Sequence, residues 1–180
     1  MATNYGSKEL ANAFRTVRRN TIQVAEDIPE AKYNFVAAPE IRSVAQMLTH
    51  VAIATRLSQT INKPGLTTLV GFNFFGLIDE SKAEEGKQRS KAEIVDFLRS
   101  EGEKFATWLE NLTPELLAES VTEPDGKTTK TRFERVLAAK EHEMHHRGQL
   151  MLIERQLGIV PHLTRQFQER MAQMRAAKAS

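Results

Sequence analysis

The stretch TRFERVLAAKEHEMHHRGQLMLIERQL, Thr131 to Leu157, decides the fold. It reads as the longest helix of the chain, with Gly158 where a C-terminal glycine belongs and Pro161 just beyond it. His142 and His146 are four apart, so they share one helical face. On either side of them that face holds Ala138 and Ala139, then Gln149, Leu150 and Ile153. Small and apolar neighbours point the histidine pair towards a protein interior. A helix with such a face needs other helices to cover it.

The rest of the chain supplies them. A first helix capped by Ser7 carries Leu10, Phe14, Val17, Ile22, Ala25 and Ile28 at helical spacing up to Pro29, with Arg15, Arg18, Arg19 and Glu26 on a solvated face. A second is predicted from near Glu40, with Ile41, Val44, Leu48, Val51 and Ala52 as its buried stripe and Lys63-Pro64-Gly65 as its stop. Residues 66–78 are unusually apolar and read as a short helix or irregular loop over one end of a bundle, before an exposed charged run from Asp79 to Lys91. Ser90 and Glu93 form a capping-box pattern that opens a third helix, which Thr113-Pro114 stops; Pro124-Asp125-Gly126 signals a turn. Thr164 to Ala177 forms a last amphipathic helix, better suited to docking or oligomerisation than to a membrane. No stretch alternates over strand length. The expectation is one all-α domain spanning 1–180, an up-down four-helix bundle with an apolar insertion after helix 2 and an extra C-terminal helix.

Composition narrows the chemistry. Of 180 residues, 41% are apolar and 27% charged, a globular balance, and 25 basic against 23 acidic residues leave +2, too little for a nucleic-acid footprint. With no cysteine, thiolate zinc sites, iron–sulfur clusters and a catalytic thiol are excluded. Neither a signal peptide nor a membrane span is expected, which makes the cytoplasm the default location. Five histidines remain, three of them between positions 142 and 146.

Two imidazoles at i and i+4 can converge on one cation. His50, beside the stripe of the second helix, is the one histidine able to join them from another helix. Three neutral imidazoles leave open positions on a metal, as a catalytic site requires; a hydrogen-bonded cluster without metal has the same spacing. His145 points about 60° off the line of the pair and is not placed as a ligand, and His162 is expected in a surface turn. His142-Glu143-Met144-His145-His146 also satisfies H-E-x-x-H, the zincin protease pattern, but its downstream extension fails at Gln149 and Leu152. Glu143 is then either a general base or a solvated or supporting carboxylate. Gln149 can orient a ligand, Gly148 can admit close helix packing, and Arg42 and Arg147 can meet an anionic substrate. Phe72, Phe74 and Phe75 either roof a pocket for an apolar electrophile or pack in a core or dimer surface.

The segments Glu40 to Val51, ending in TH-V around His50, and His142 to Leu150, H-x-x-x-H followed by Arg147-Gly148-Gln149, resemble the DinB/YfiT-like family of metal-binding four-helix bundles. The resemblance implies that His50, His142 and His146 are the metal ligands, holding a divalent ion such as zinc, nickel or iron. It implies a homodimer and a small-molecule substrate, with a low-molecular-weight thiol as one candidate, since similar proteins include thiol-dependent S-transferases and a maleylpyruvate isomerase. It implies neither a polymerase nor DNA binding. The activity expected is metal-dependent transfer or hydrolysis; the alternative is a metal- or ligand-binding stress protein without turnover.

Overall fold

Reciprocal caps set where the main helices begin. In the computed structural model, which describes residues 5–179, Ser90 and Glu93 exchange backbone bonds at 2.7 and 3.3 Å to start α4 (Lys91–Glu110), and Thr131 and Glu134 do so at 2.7 and 3.2 Å to start α6 (Arg132–Gln156). The first helix, α1 (Ser7–Asp27), starts one residue earlier than Ser7 as a cap implies, because the Gly6 N–H donates to Glu9 at 3.0 Å and makes Gly6 the cap. The second, α2, runs Val44–Ile61 rather than from Glu40. Glu40 sits at φ 63°, outside helical space, and Ile41 is exposed; the start is the Ser43–Gln46 box. Residues 1–4 and 180 of the expected domain lie outside the described residues.

The apolar insertion divides in two. Leu69 is buried and its N–H donates to Thr122 O at 2.8 Å, stitching the loop to a two-stranded antiparallel hairpin, β1 (Ser120–Thr122) and β2 (Thr129–Thr131), around the predicted Pro124-Asp125-Gly126 turn. Three-residue strands are too short to show alternation, which is why none was expected. From Phe74 the chain forms α3 (Phe74–Glu85), packed on α2 rather than over a bundle end. The run read as exposed therefore turns Glu84 and Glu85 inward. Thr113-Pro114, read as a stop, caps the short helix α5 (Pro114–Ala118), and α7 (His162–Ala179) follows Gly158, whose φ of 78° favours a residue without Cβ.

The bundle comprises α1, α2, α4 and α6. One apolar cluster joins Val24 of α1 and Ile28 just after it, Val44 and Leu48 of α2, Ile94 and Leu98 of α4, and Leu150 and Ile153 of α6. The other joins Leu10 and Phe14, Phe105 and Leu109, and Val136. These pairings order the helices up, down, down, up, with α1 packed on α4 and α6. Between the clusters lies a charged layer. Arg18, expected on a solvated face, is 3% exposed: its guanidinium donates to Glu143 at 2.9 Å, to Leu98 O at 2.6 Å and to Val51 O at 3.1 Å, so it touches all three other bundle helices. Gly102 makes room for it, since a Cβ there would lie 2.7 Å from Arg18 Cγ. Among the described residues no helix is long and apolar enough to cross a membrane.

Candidate metal centre

The charged layer ends against three histidines. On α6 the one-turn spacing brings His142 and His146 to ring centroids 4.6 Å apart, and α2 brings His50 across to them. His142 Nε2 lies 3.1 Å from His50 Nε2 and 3.2 Å from His146 Nε2, and a ligand atom from each of the three falls within 4.8 Å of the others. Imidazoles about 2.0–2.1 Å from a tetrahedral ion have nitrogens about 3.3–3.4 Å apart, so this convergence has the dimensions of a metal cradle. His145, on the exposed side of α6, stays outside it.

The outward nitrogens are held as well. His50 Nδ1 is 2.8 Å from Glu85 Oε1, and His146 Nδ1 is 2.8 Å from Gln149 Oε1. An acceptor at Nδ1 keeps the proton there and turns the Nε2 lone pair inward, the tautomer that binds a cation. Glu85 is itself fixed by Arg42 at 2.6 Å and Ser81 at 3.2 Å. Burial lowers all three histidine pKa values. His142 falls to about 4, with the neighbouring His146 and His50 adding to the effect, and His50 is lowered further by Arg42. Protons therefore do not compete for the site at neutral pH.

Sequence reasoning missed Glu85, whose contact is tertiary and which sat in a charged run. Its one local sign was a shared face, since Ile78, Ser81 and Glu85 are spaced i, i+3, i+7 on α3. Other expectations need correction. Glu143 is 2% exposed and both oxygens take bonds from Arg18, so it is a structural ion pair, neither a solvated carboxylate nor the free base a zincin needs. Arg42 is occupied by Glu85, and the half-buried Arg147 donates to Val17 O at 3.5 Å. Gly148 faces open space and serves no close packing. His162, expected at the surface, is 3% exposed, with Nε2 3.4 Å from Asn20 Oδ1.

A chamber of about 360 Å³ opens beside His50 and His142, walled by α2, α3 and the first half of α6. Leu77 and Ile78 line it, whereas Phe72, Phe74 and Phe75 do not; Phe72 and Phe74 stack edge to face with each other, and Phe75 is exposed. A second, more open cleft reaches His146 and Gln149 from the other side. The trio thus stands between two compartments that share Arg42, Lys82 and Glu85.

Known proteins share this architecture. The sequence profile of the DinB superfamily matches residues 13–150. The uncharacterized protein YjoA of Bacillus subtilis (strain 168) is 23% identical over 153 residues, 84% of this chain and 91% of its own. The crystal structure of YjoA, a DinB-like protein, superposes with a TM-score of 0.61 over 83% of this chain and 92% of that one. YfiT from Bacillus subtilis, described as a probable metal-dependent hydrolase with an unusual four-helix bundle topology, gives 0.67 at 14% identity, over 88% and 91%. An uncharacterized protein from Clostridium difficile 630 gives 0.65 at 14% identity, over 85% and 98%.

Proposed function

This chain belongs to the DinB superfamily, and from that premise we propose that it is a metal-dependent enzyme whose His50, His142 and His146 hold a divalent ion, zinc, nickel or iron, for transfer or hydrolysis on a small molecule. The observation that carries the reading is the convergence of three Nε2 atoms with Glu85 and Gln149 holding two of the outer nitrogens. Metal-binding imidazoles characteristically donate their outer N–H to such acceptors, which fixes the tautomer that offers Nε2 to the ion. When bound, the ion would supply Lewis acidity, lowering the pKa of a water or thiol at an open position.

The protein's own groups would then do three things. Glu85 would hold the His50 ring in place and keep its proton on Nδ1, and Gln149 would do the same for His146. The chamber on the His50 and His142 side would take one reactant, and the cleft at His146 would give access to the other. Because the chain has no cysteine, any thiol must arrive as a cosubstrate. The likeness to YfiT supports the hydrolytic arm of this reading.

Elemental analysis of protein purified without a nickel column tests the centre: metal should accompany the wild type and be lost from His142→Ala and His146→Ala. Full metal content in those variants would refute the ligand assignment. Activity is tested by metal-dependent consumption of a small thiol with a halobenzene, and by hydrolysis of activated esters and amides. A metal-loaded protein inactive in all of these would point to binding without turnover.

A further inference from the structure

Along α2, Ser58 follows His50 by eight residues, about 12 Å of helix at 1.5 Å per residue. Both line the same chamber, His50 at the metal end and Ser58 at the other. Between them the walls are largely apolar, with Ala54 and Leu57 of α2, Leu77 and Ile78 of α3 and Ala138 of α6. Of the charged groups that border the space, Arg56 is engaged with Glu101, Arg135 with Glu123 and Asn62, Arg42 with Glu85 and Glu143 with Arg18, which leaves Glu80 and Lys82, one of each sign and both exposed. A charged group carried inside would therefore meet no free counter-charge on the buried walls.

Among the buried polar groups of the chamber, Ser58 is the one left unsatisfied. It is 8% exposed, and its Oγ has no hydrogen-bond partner. Helical hydroxyls nearby satisfy themselves on the preceding turn, Thr60 on Arg56 O at 2.8 Å and Thr55 on Ala52 O at 3.0 Å. A buried hydroxyl left unbonded costs free energy that a bound polar group would recover.

Resting on the proposed metal-dependent activity, we propose that the chamber binds an elongated, uncharged, mainly apolar substrate of alkyl or alkylaryl type. Its reacting end lies at His50 and His142, and a hydroxyl or carbonyl at its far end bonds Ser58 Oγ. The cavity has the size of small-ligand sites and the length of a short-chain alkylphenol.

Calorimetric titration of the metal-loaded protein with 4-propylphenol and with propylbenzene tests this, with metal content measured on every sample. Wild type should bind both, the phenol more tightly. Ser58→Ala should weaken the phenol about 2–10-fold and leave propylbenzene unchanged, the worth of one hydrogen bond. Ala54→Phe, and independently Ala138→Phe at the rim, should fill the chamber and weaken both probes at least about tenfold with metal retained. Failure of wild type to bind either probe overturns the proposal, as does equal weakening of both by Ser58→Ala, or indifference of folded filler variants. Metal retained without probe binding sinks this inference alone; probe binding with the expected variant pattern in protein that takes up no metal sinks the metal reading alone.

Discussion

Glu85 links the second helix's histidine to the rest of the protein: its carboxylate receives His50 on one side and Arg42 and Ser81 on the other. Glu85→Ala should lower metal affinity about 10–100-fold, as loss of such supporting groups does elsewhere, with Glu85→Gln restoring part of it, measured by competition with a chromophoric chelator. Glu143, its neighbour by sequence to the site, should behave differently. Glu143→Ala strands the buried Arg18 charge and should cost about 3–5 kcal/mol in chemical denaturation, while the protein that stays folded keeps its metal. The contrast shows what residues reveal alone. Two imidazoles four apart announce their shared face through helix geometry. A carboxylate next to them in sequence points about 100° away and meets something else. Arg18 was hidden for the reverse reason: amid Arg15 and Arg19 it looks solvated, and only tertiary partners on three helices bring it inside.

Elements were legible where their ends carry local chemistry. The Ser90–Glu93 cap and the Gly158 stop fixed α4 and the end of α6 because both act within one turn. Helix α2 was misplaced because an acidic residue near a helix start is weaker information than the Ser43–Gln46 box three residues on. The pairing of α1 with α4 makes a test at this scale. Gly102→Ala should by helix propensity stabilise α4 by about 1 kcal/mol. Its methyl would instead lie 2.7 Å from Cγ of an arginine pinned by three acceptors, so a net loss of about 1–3 kcal/mol is expected, read as a lower denaturation midpoint. A gain in stability would mean that Arg18 can shift freely. Helix α3 was the hardest to read, since its inward face presents Glu85 to a histidine rather than leucines to a core.

For the molecule as a whole, pH and metal are separable handles. Glu154 is fully buried, neither oxygen has a hydrogen-bond partner, and burial together with the Asp27 charge raises its pKa from 4.5 to about 7. The folded state therefore keeps a proton that the unfolded state releases, so this group's contribution is intact below about pH 4.5 and declines as pH rises towards about 7. His162, whose pKa burial lowers, acts in the opposite sense, so the comparison must be with a variant. Glu154→Gln should gain stability relative to wild type as pH climbs from 5 to 8, in parallel denaturation curves. Removing metal by chelation should leave the helical circular dichroism intact, because neither apolar cluster includes any of the three histidines, and should lower the thermal midpoint by an amount that grows with the free-metal concentration it replaces. The up, down, down, up order of the bundle bears on how the chain is made. As it leaves the ribosome, α1 emerges first, yet its packing surfaces are α4 and α6, the last of them completed only near Gln156. The apolar cluster that α1 shares with α2 is closed only when α4 and α6 arrive, so the N-terminal third must wait, exposed to chaperones and proteases, until most of the polypeptide has been synthesised.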